Sequence, residues 1–138
     1  MIAFYRDALG MAPQELDDGT VLLQAPGRRI LLGRGVRGEQ PFIAFRLESD
    51  AQLEATKAHV ASKRVPVLAS PTRVFAPGAF AVRDPDGRLV VFGLPDPSLP
   101  PAVAQAGNPA AALPGRLQHV VVASRALAPM LRFYEDDL

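Results

Sequence analysis

The sequence predicts an α+β fold built from two βαβββ units, the first of which lacks its opening strand. Short apolar runs bounded by Gly and Pro turn signals indicate strands. Two stretches with helical spacing, residues 1–9 and 50–63, stand among these runs. The resulting order is αβββ followed by βαβββ. Because each unit alone would leave an apolar sheet face open, we expect the two to pair.

The two ends of the chain carry the same nine-residue pattern. Residues 1–9 (MIAFYRDAL) and 130–138 (MLRFYEDDL) agree at five of nine positions, at a constant offset of 129 residues. This offset is the length of a domain and exceeds the roughly 20 to 50 residues of a solenoid repeat. We therefore expect the chain to end inside a second repeat, with Tyr5 and Tyr134 as equivalent packing residues.

The first unit begins with a helix at residues 1–9, which Gly10 is placed to end in a left-handed cap. Strands are expected at about 12–17, 20–24 and 29–32. The turn signals Asp18-Gly19 and Pro26-Gly27 separate them.

The second unit opens after a polar, glycine-rich connection. Residues 49–52 match a capping box, so the helix is expected to start beside them. The remaining predicted elements of this unit are a strand at 42–48, an edge strand at 65–68, and strands at 79–83 and 89–92 joined by a turn at 84–87.

The amino-acid composition of the chain changes after this unit. Six of its fourteen prolines fall in residues 94–115, which predicts a linker. A strand is expected at 117–123 and a helix at 126–138. The predicted organisation is a domain at 1–93 lacking its first strand, the linker at 94–115, and the first strand and helix of a following or permuted repeat at 116–138.

Composition limits the classes of function. The chain has 49% hydrophobic and 21% charged residues, which suits a packed domain with a polar surface. Its basic residues are scattered, whereas a nucleic-acid-binding face would concentrate them. The absence of cysteine excludes disulfides and thiolate ligands. With no apolar run of membrane-spanning length and no signal-peptide pattern, we expect a cytoplasmic protein that binds neither nucleic acid nor membrane.

Four segments in order, AFYRDALGM (3–11), FIAFRLES (42–49), FAVRDPDGRLVVF (80–92) and LQHVVVAS (117–124), carry a family resemblance. They resemble the vicinal oxygen chelate superfamily, which includes glyoxalase I, bleomycin-resistance proteins and extradiol dioxygenases. The tandem arrangement is most similar to two-domain extradiol dioxygenases. In those proteins a metal-free N-terminal domain precedes a metal-bearing one.

The resemblance implies where a metal would bind. In metal-dependent members, a His of the first strand, a ligand at the start of the fifth and a Glu of the last hold Fe(II), Mn(II), Ni(II) or Zn(II). Here Phe42 and Val91 stand at the fifth-strand and last-strand positions, and neither can donate a lone pair. His119 matches the first-ligand position of a following domain. One imidazole does not make a stable site, so we expect no metal cofactor and no catalytic residue in this chain.

Other polar residues have structural interpretations. His59 lies away from the apolar stripe of its helix and is expected in solvent. Asp84 and Asp86 lie in a Pro-Gly turn, and Glu48 and Asp50 flank a helix start, where negative charge is favourable.

Three functions remain open. The first is the metal-free domain of a dioxygenase-like two-domain protein, whose parent reaction is metal-dependent extradiol cleavage of a catechol-type substrate. The second is a non-enzymatic small-molecule binding module resembling bleomycin-resistance proteins. The third is an active metal enzyme that uses other carboxylates, the candidates being Glu15, Glu39 and Glu48.

Two features of the assembly are also expected. We predict a homodimer, with strand 117–123 either exchanged between chains or folded back into the vacant first-strand position. If it folds back, His119 would face Phe42 and Val91 in an apolar, metal-free cavity able to take a small hydrophobic or aromatic ligand.

Overall fold

The described part of the chain forms two compact units. The computed structural model describes residues 1–36, 38–99 and 123–138. Residues 1–36 belong to unit 1, and residues 38–99 together with 123–138 belong to unit 2. His119, residues 117–122 of the predicted strand and most of the predicted linker lie outside the described residues, so they stay predictions, as do the domain boundaries.

Unit 1 is a helix followed by a three-stranded antiparallel meander. The helix α1 spans Ile2–Leu9, and the strands β1, β2 and β3 span Ala12–Glu15, Val21–Ala25 and Arg28–Leu32, in the sheet order β1-β2-β3. The predicted cap is confirmed, because Gly10 has φ 62° and its N–H donates to the carbonyl of Tyr5.

Alternation along β2 gives unit 1 its core. Leu23 and Ala25 point to one face and are fully buried, together with Met11. Tyr5 and Leu9 of α1 pack against this cluster. Tyr5 is therefore the packing residue that the repeat predicts.

Unit 2 contains the complete βαβββ motif. Its elements are β4 Phe42–Arg46, α2 Asp50–Ser62, β5 Leu68–Ala69, β6 Phe80–Arg83 and β7 Leu89–Gly93. The sheet order is β4-β7-β6-β5, with β4 parallel to β7 and the other pairs antiparallel. β5 is an edge strand, as expected, but it lies at Leu68–Ala69 and shares only Leu68 with the predicted strand at 65–68.

The start of α2 confirms the capping signal with one change of partner. Ser49 Oγ accepts a hydrogen bond from the backbone N–H of Gln52 at 3.2 Å. The side chain of Gln52 accepts from the N–H of Glu48 at 2.9 Å, one residue before the cap. Two N–H groups at the helix start are thus satisfied.

One face of the four-stranded sheet is buried under two helices. Leu53 and Val60 of α2 belong to this core, and so does Phe133 near the C-terminus. The strands contribute Phe80, Val82, Val90 and Phe92. Spacing of seven residues places Leu53 and Val60 on the same side of α2, which is why the helix follows the sheet.

The C-terminal helix differs in its winding from the expected one. It begins as α3 over Leu127–Arg132 and continues as a π-helical turn over Phe133–Asp137. The N–H of Leu138 donates to the carbonyl of Phe133 at 3.0 Å, five residues back. The wider winding brings residues five apart towards one side, so Phe133 and Leu138 can both pack on the core.

In the described part of the chain, no helix has both the length and the hydropathy needed to cross a bilayer.

The repeated nonapeptide supplies a matched pair of stability tests. Phe133 is 5% exposed, whereas Phe4, the equivalent residue of α1, is 62% exposed. We expect Phe133→Ala to lower the free energy of unfolding by about 3 kcal/mol, because it empties a core position. Phe4→Ala should lower it by less than about 1 kcal/mol. Urea unfolding of both variants measures the difference, and equal losses would contradict the unequal burial.

Candidate functional site

The structure places Phe42 and Val91 on the same face of one sheet. In the parallel register, Phe42 lies opposite Leu89 and Ala44 lies opposite Val91. Since side chains alternate along a strand, Phe42 and Val91 point to one side while Val90 enters the core on the other. We call this side, defined by Phe42, Ala44, Val91 and Gly93, the candidate face. Val91 is fully buried there and Phe42 is half-buried.

The side chains on the candidate face do not suit a metal ion. A phenyl ring and an isopropyl group stand at the two positions where ligands were expected, and neither offers a donor atom. Among residues 1–36, 38–99 and 123–138, no three His, Cys, Asp or Glu side chains come together as a metal-binding group. Glu15, Glu39 and Glu48 are all exposed.

Gly93 allows a loop to close over one end of the candidate face. A Cβ atom added to Gly93 would lie 2.6 Å from Cγ of Phe75 and 2.8 Å from Cβ of Ala79. Because Gly93 is two residues beyond Val91, that Cβ would point to the same side as Val91. Phe75 and Ala79 therefore lie directly on the sheet at this point, where any side chain at residue 93 would displace them.

The same loop forms one side of a shallow cavity of about 420 Å³, largely open to solvent, at the surface of unit 2. Phe75, Pro77 and Ala79 contribute apolar surface, and Arg73 and Asp96 contribute the charged groups. The volume falls within the range of about 300–1,000 Å³ common for small-molecule sites.

A buried carboxylate joins the β6–β7 turn to the C-terminal helix. The side chain of Asp84 has no exposed surface. Its Oδ1 accepts a hydrogen bond from the N–H of Arg88 at 2.8 Å, and its Oδ2 lies 3.5 Å from the hydroxyl of Tyr134. The guanidinium of Arg88 lies 3.6 Å from Oδ2 and donates to the carbonyl of Ala123 at 2.7 Å.

The turn predicted at residues 84–87 is confirmed, but its second role was missed. Gly87 has φ 87° and donates its N–H to the carbonyl of Asp84 at 2.9 Å. The sequence showed this local chemistry. It did not show that Asp84 would meet Tyr134, fifty residues away, because no local pattern reports that contact. Tyr134 does pack against the core, as the repeat predicts.

Burial of Tyr134 affects its acidity. Removal of its hydroxyl from water, and secondarily the nearby negative charge of Asp84, raise the pKa of Tyr134 above its usual value. Ionising this tyrosine would place two negative charges side by side.

A second polar feature lies in unit 1. Gln24 is 4% exposed, and its amide nitrogen donates to Oε1 of Gln14 at 3.2 Å. Its own Oε1 is buried and has no hydrogen-bond partner among the described residues. The side chain stands on the opposite face of β2 from Leu23, so it lies away from the α1 core. The sequence did not predict that Gln24 would be buried, because no local pattern around it indicates a polar core position.

The family match covers all of α1 to β6 and most of β7. The sequence profile of the Glyoxalase/Bleomycin resistance protein/Dioxygenase superfamily matches residues 1–92. The chain belongs to this superfamily. The α+β architecture described above agrees with the vicinal oxygen chelate fold of its members.

Several solved structures resemble this superfamily member weakly. A lactoylglutathione lyase from Agrobacterium tumefaciens is 22% identical, with 67% of this chain and 81% of that chain covered and a TM-score of 0.31. Protein ATC0852 from the same organism is 27% identical, with coverages of 67% and 84% and a TM-score of 0.34. An integron cassette protein from V. cholerae is 23% identical, with coverages of 66% and 80% and a TM-score of 0.28. At these TM-scores the likenesses carry no functional argument.

No curated protein matches the chain significantly.

Gln24 generates a stability prediction. Gln24→Met removes the unpartnered oxygen while keeping a side chain of similar size, so we expect the free energy of unfolding to rise by about 1 kcal/mol. Gln14→Met is the matched control. It leaves the amide nitrogen of Gln24 without its acceptor, and we expect a loss of about 1–2 kcal/mol. Chemical unfolding of the two variants tests this, and a clear loss in Gln24→Met would show that its oxygen has a stabilising partner.

Tyr134 generates a prediction about alkaline pH. A tyrosine whose pKa is higher in the folded than in the unfolded chain stabilises the fold below the unfolded-state pKa of about 10. That contribution is lost as the pH rises through the folded-state pKa. We therefore expect Tyr134→Phe to flatten the loss of unfolding free energy between about pH 9 and pH 11, where tyrosine titrates. Tyr5→Phe leaves Tyr134 in place and should retain the wild-type slope; identical slopes in all three proteins would refute the effect.

Proposed function

We propose that this chain is a non-catalytic domain of its superfamily, the metal-free part of a dioxygenase-like two-domain protein. The observation that carries the proposal is the position of Phe42 and Val91 on one face of the sheet. They lie on adjacent strands, where two ligands could have converged on one ion. Neither side chain can coordinate it, so the Lewis-acid chemistry of metal-dependent relatives has no site at these positions.

The internal repeat supports the two-domain part of the proposal. Residues 130–138 repeat residues 1–9 at a domain-length offset, as the first helix of a further domain would, although in this structure Phe133 and Leu138 pack on the core of unit 2. By the family resemblance, His119 would be the first metal ligand of that further domain. The parent reaction would then be metal-dependent extradiol cleavage of a catechol-type substrate. It would take place in the further domain, with the domain described here in a supporting role.

A second candidate function is small-molecule binding without metal chemistry, as in bleomycin-resistance proteins. The cavity beside Phe75 and Arg73 favours it, because a pocket with apolar walls and a few charged groups is typical of ligand sites. The homodimer expected from the sequence is compatible with either function.

The metal content of the purified protein tests the main proposal. After incubation with Fe(II) under anaerobic conditions, or with Mn(II) or Zn(II), we expect less than about 0.1 metal ion per chain, because Phe42 and Val91 supply no donors. Size-exclusion chromatography with light scattering on the same sample gives the solution mass. Near-stoichiometric metal in the wild-type chain would overturn the proposal.

A pair of double variants shows whether these are the relevant positions. Phe42→His with Val91→Glu adds an imidazole and a carboxylate to one face, and we expect at least about tenfold tighter Zn(II) binding than in the wild type. Phe42→Ala with Val91→Ala removes the same side chains without adding donors and should bind no better. Equal affinities in the two variants would show that the candidate face is not where ligands converge.

A further inference from the structure

The cavity of unit 2 has one charged group that the described structure leaves uncommitted. Asp96 is engaged, since its Oδ1 accepts a hydrogen bond from the N–H of Ser98 at 2.8 Å. Contact with Ser98 also lowers the pKa of Asp96, in agreement with a carboxylate held in its charged form. Arg73 lines the same cavity, is exposed, and forms no ion pair with a described residue. Its guanidinium is available to a ligand.

The walls of the cavity are held in place before any ligand arrives. Phe75 forms an antiparallel bridge with Pro95, and the N–H of Ala76 donates to the carbonyl of Leu94 at 2.9 Å. The hydroxyl of Ser70 accepts from the N–H of Thr72 at 3.3 Å and donates to its carbonyl at 3.0 Å.

Close contact with the sheet also holds the loop of residues 70–79 in place. Phe75 and Ala79 occupy the space that a side chain at Gly93 would need. A loop anchored at both its backbone and its side chains loses little conformational entropy when a ligand binds, which favours affinity.

From this arrangement we infer that the cavity binds a small planar carboxylate, an aromatic acid whose ring lies against Phe75, Pro77 and Ala79 while its carboxylate pairs with Arg73. A planar guanidinium matches a carboxylate in geometry and charge, and an aromatic ring gains from contact with apolar and aromatic surface. The volume of about 420 Å³ accommodates a molecule with one or two rings. The inference rests on the second candidate function, small-molecule binding, and names its ligand class.

The test compares an acid with its uncharged amide. Two-dimensional NMR of the full chain titrated with 2-naphthoate to about 10 mM should show saturable shifts at residues 70–79. The matched neutral probe, 2-naphthamide, should bind about fivefold more weakly, as expected for loss of one exposed charge pair. Arg73→Gln should abolish this preference without changing the affinity for the amide. Arg64→Gln, which changes an exposed arginine outside the cavity, should leave both affinities unchanged.

Three results would overturn the inference. Equal binding of acid and amide to the wild-type cavity would remove the ligand class while leaving small-molecule binding intact. A preference for the acid that persists in Arg73→Gln would show that another group recognises the carboxylate. No saturable shift with either probe would reject the ligand class and count against small-molecule binding at this cavity. None of these results bears on the metal measurement, so the main proposal fails or survives separately.

Discussion

The parallel pairing of β4 with β7 is the constraint on which unit 2 depends. It requires a crossover between the strands, which α2 provides, and it fixes the register that places Ala44 beside Val91. Alternation then assigns Val90 and Phe92 to the core and Val91 to the opposite face. A one-residue shift of register would turn Val91 into the core and move Val90 and Phe92 to the opposite face. Because the apolar core fixes the register, it also fixes which side chains stand on the candidate face.

The repeated nonapeptide shows how one local sequence serves two environments. In both copies the Tyr and the final Leu pack against a sheet core, so these positions behave alike. The Phe behaves differently, since Phe133 is buried and Phe4 is exposed. At Tyr134 the turn of Asp84 and Arg88 adds polar contacts to the apolar packing. Both copies form helices, but the surface beneath each copy sets how it winds and how much of it is buried.

Most elements of the described chain could be predicted because their signals are local. Gly10 ends α1 in a left-handed cap, Ser49 caps α2, and Gly87 closes the turn after Asp84. Errors concentrate where a partner residue decides the outcome. The strand expected at 65–68 is shorter and lies further along the chain, at Leu68–Ala69, and the final helix winds as a π-helix from Phe133. Edge pairing and core packing, which determine these two details, are not encoded in a few adjacent residues.

For the candidate site, the sequence by itself determined which atoms are available. Phe42 and Val91 carry no donor whatever their position, and this follows from residue identity alone. Only the tertiary structure decided that the two share a face and that Phe75 lies on Gly93. It also decided that Asp84 reaches Tyr134 and that Arg73 lines a cavity. These relations depend on strand register and loop packing between residues distant in the chain, which a single sequence does not specify.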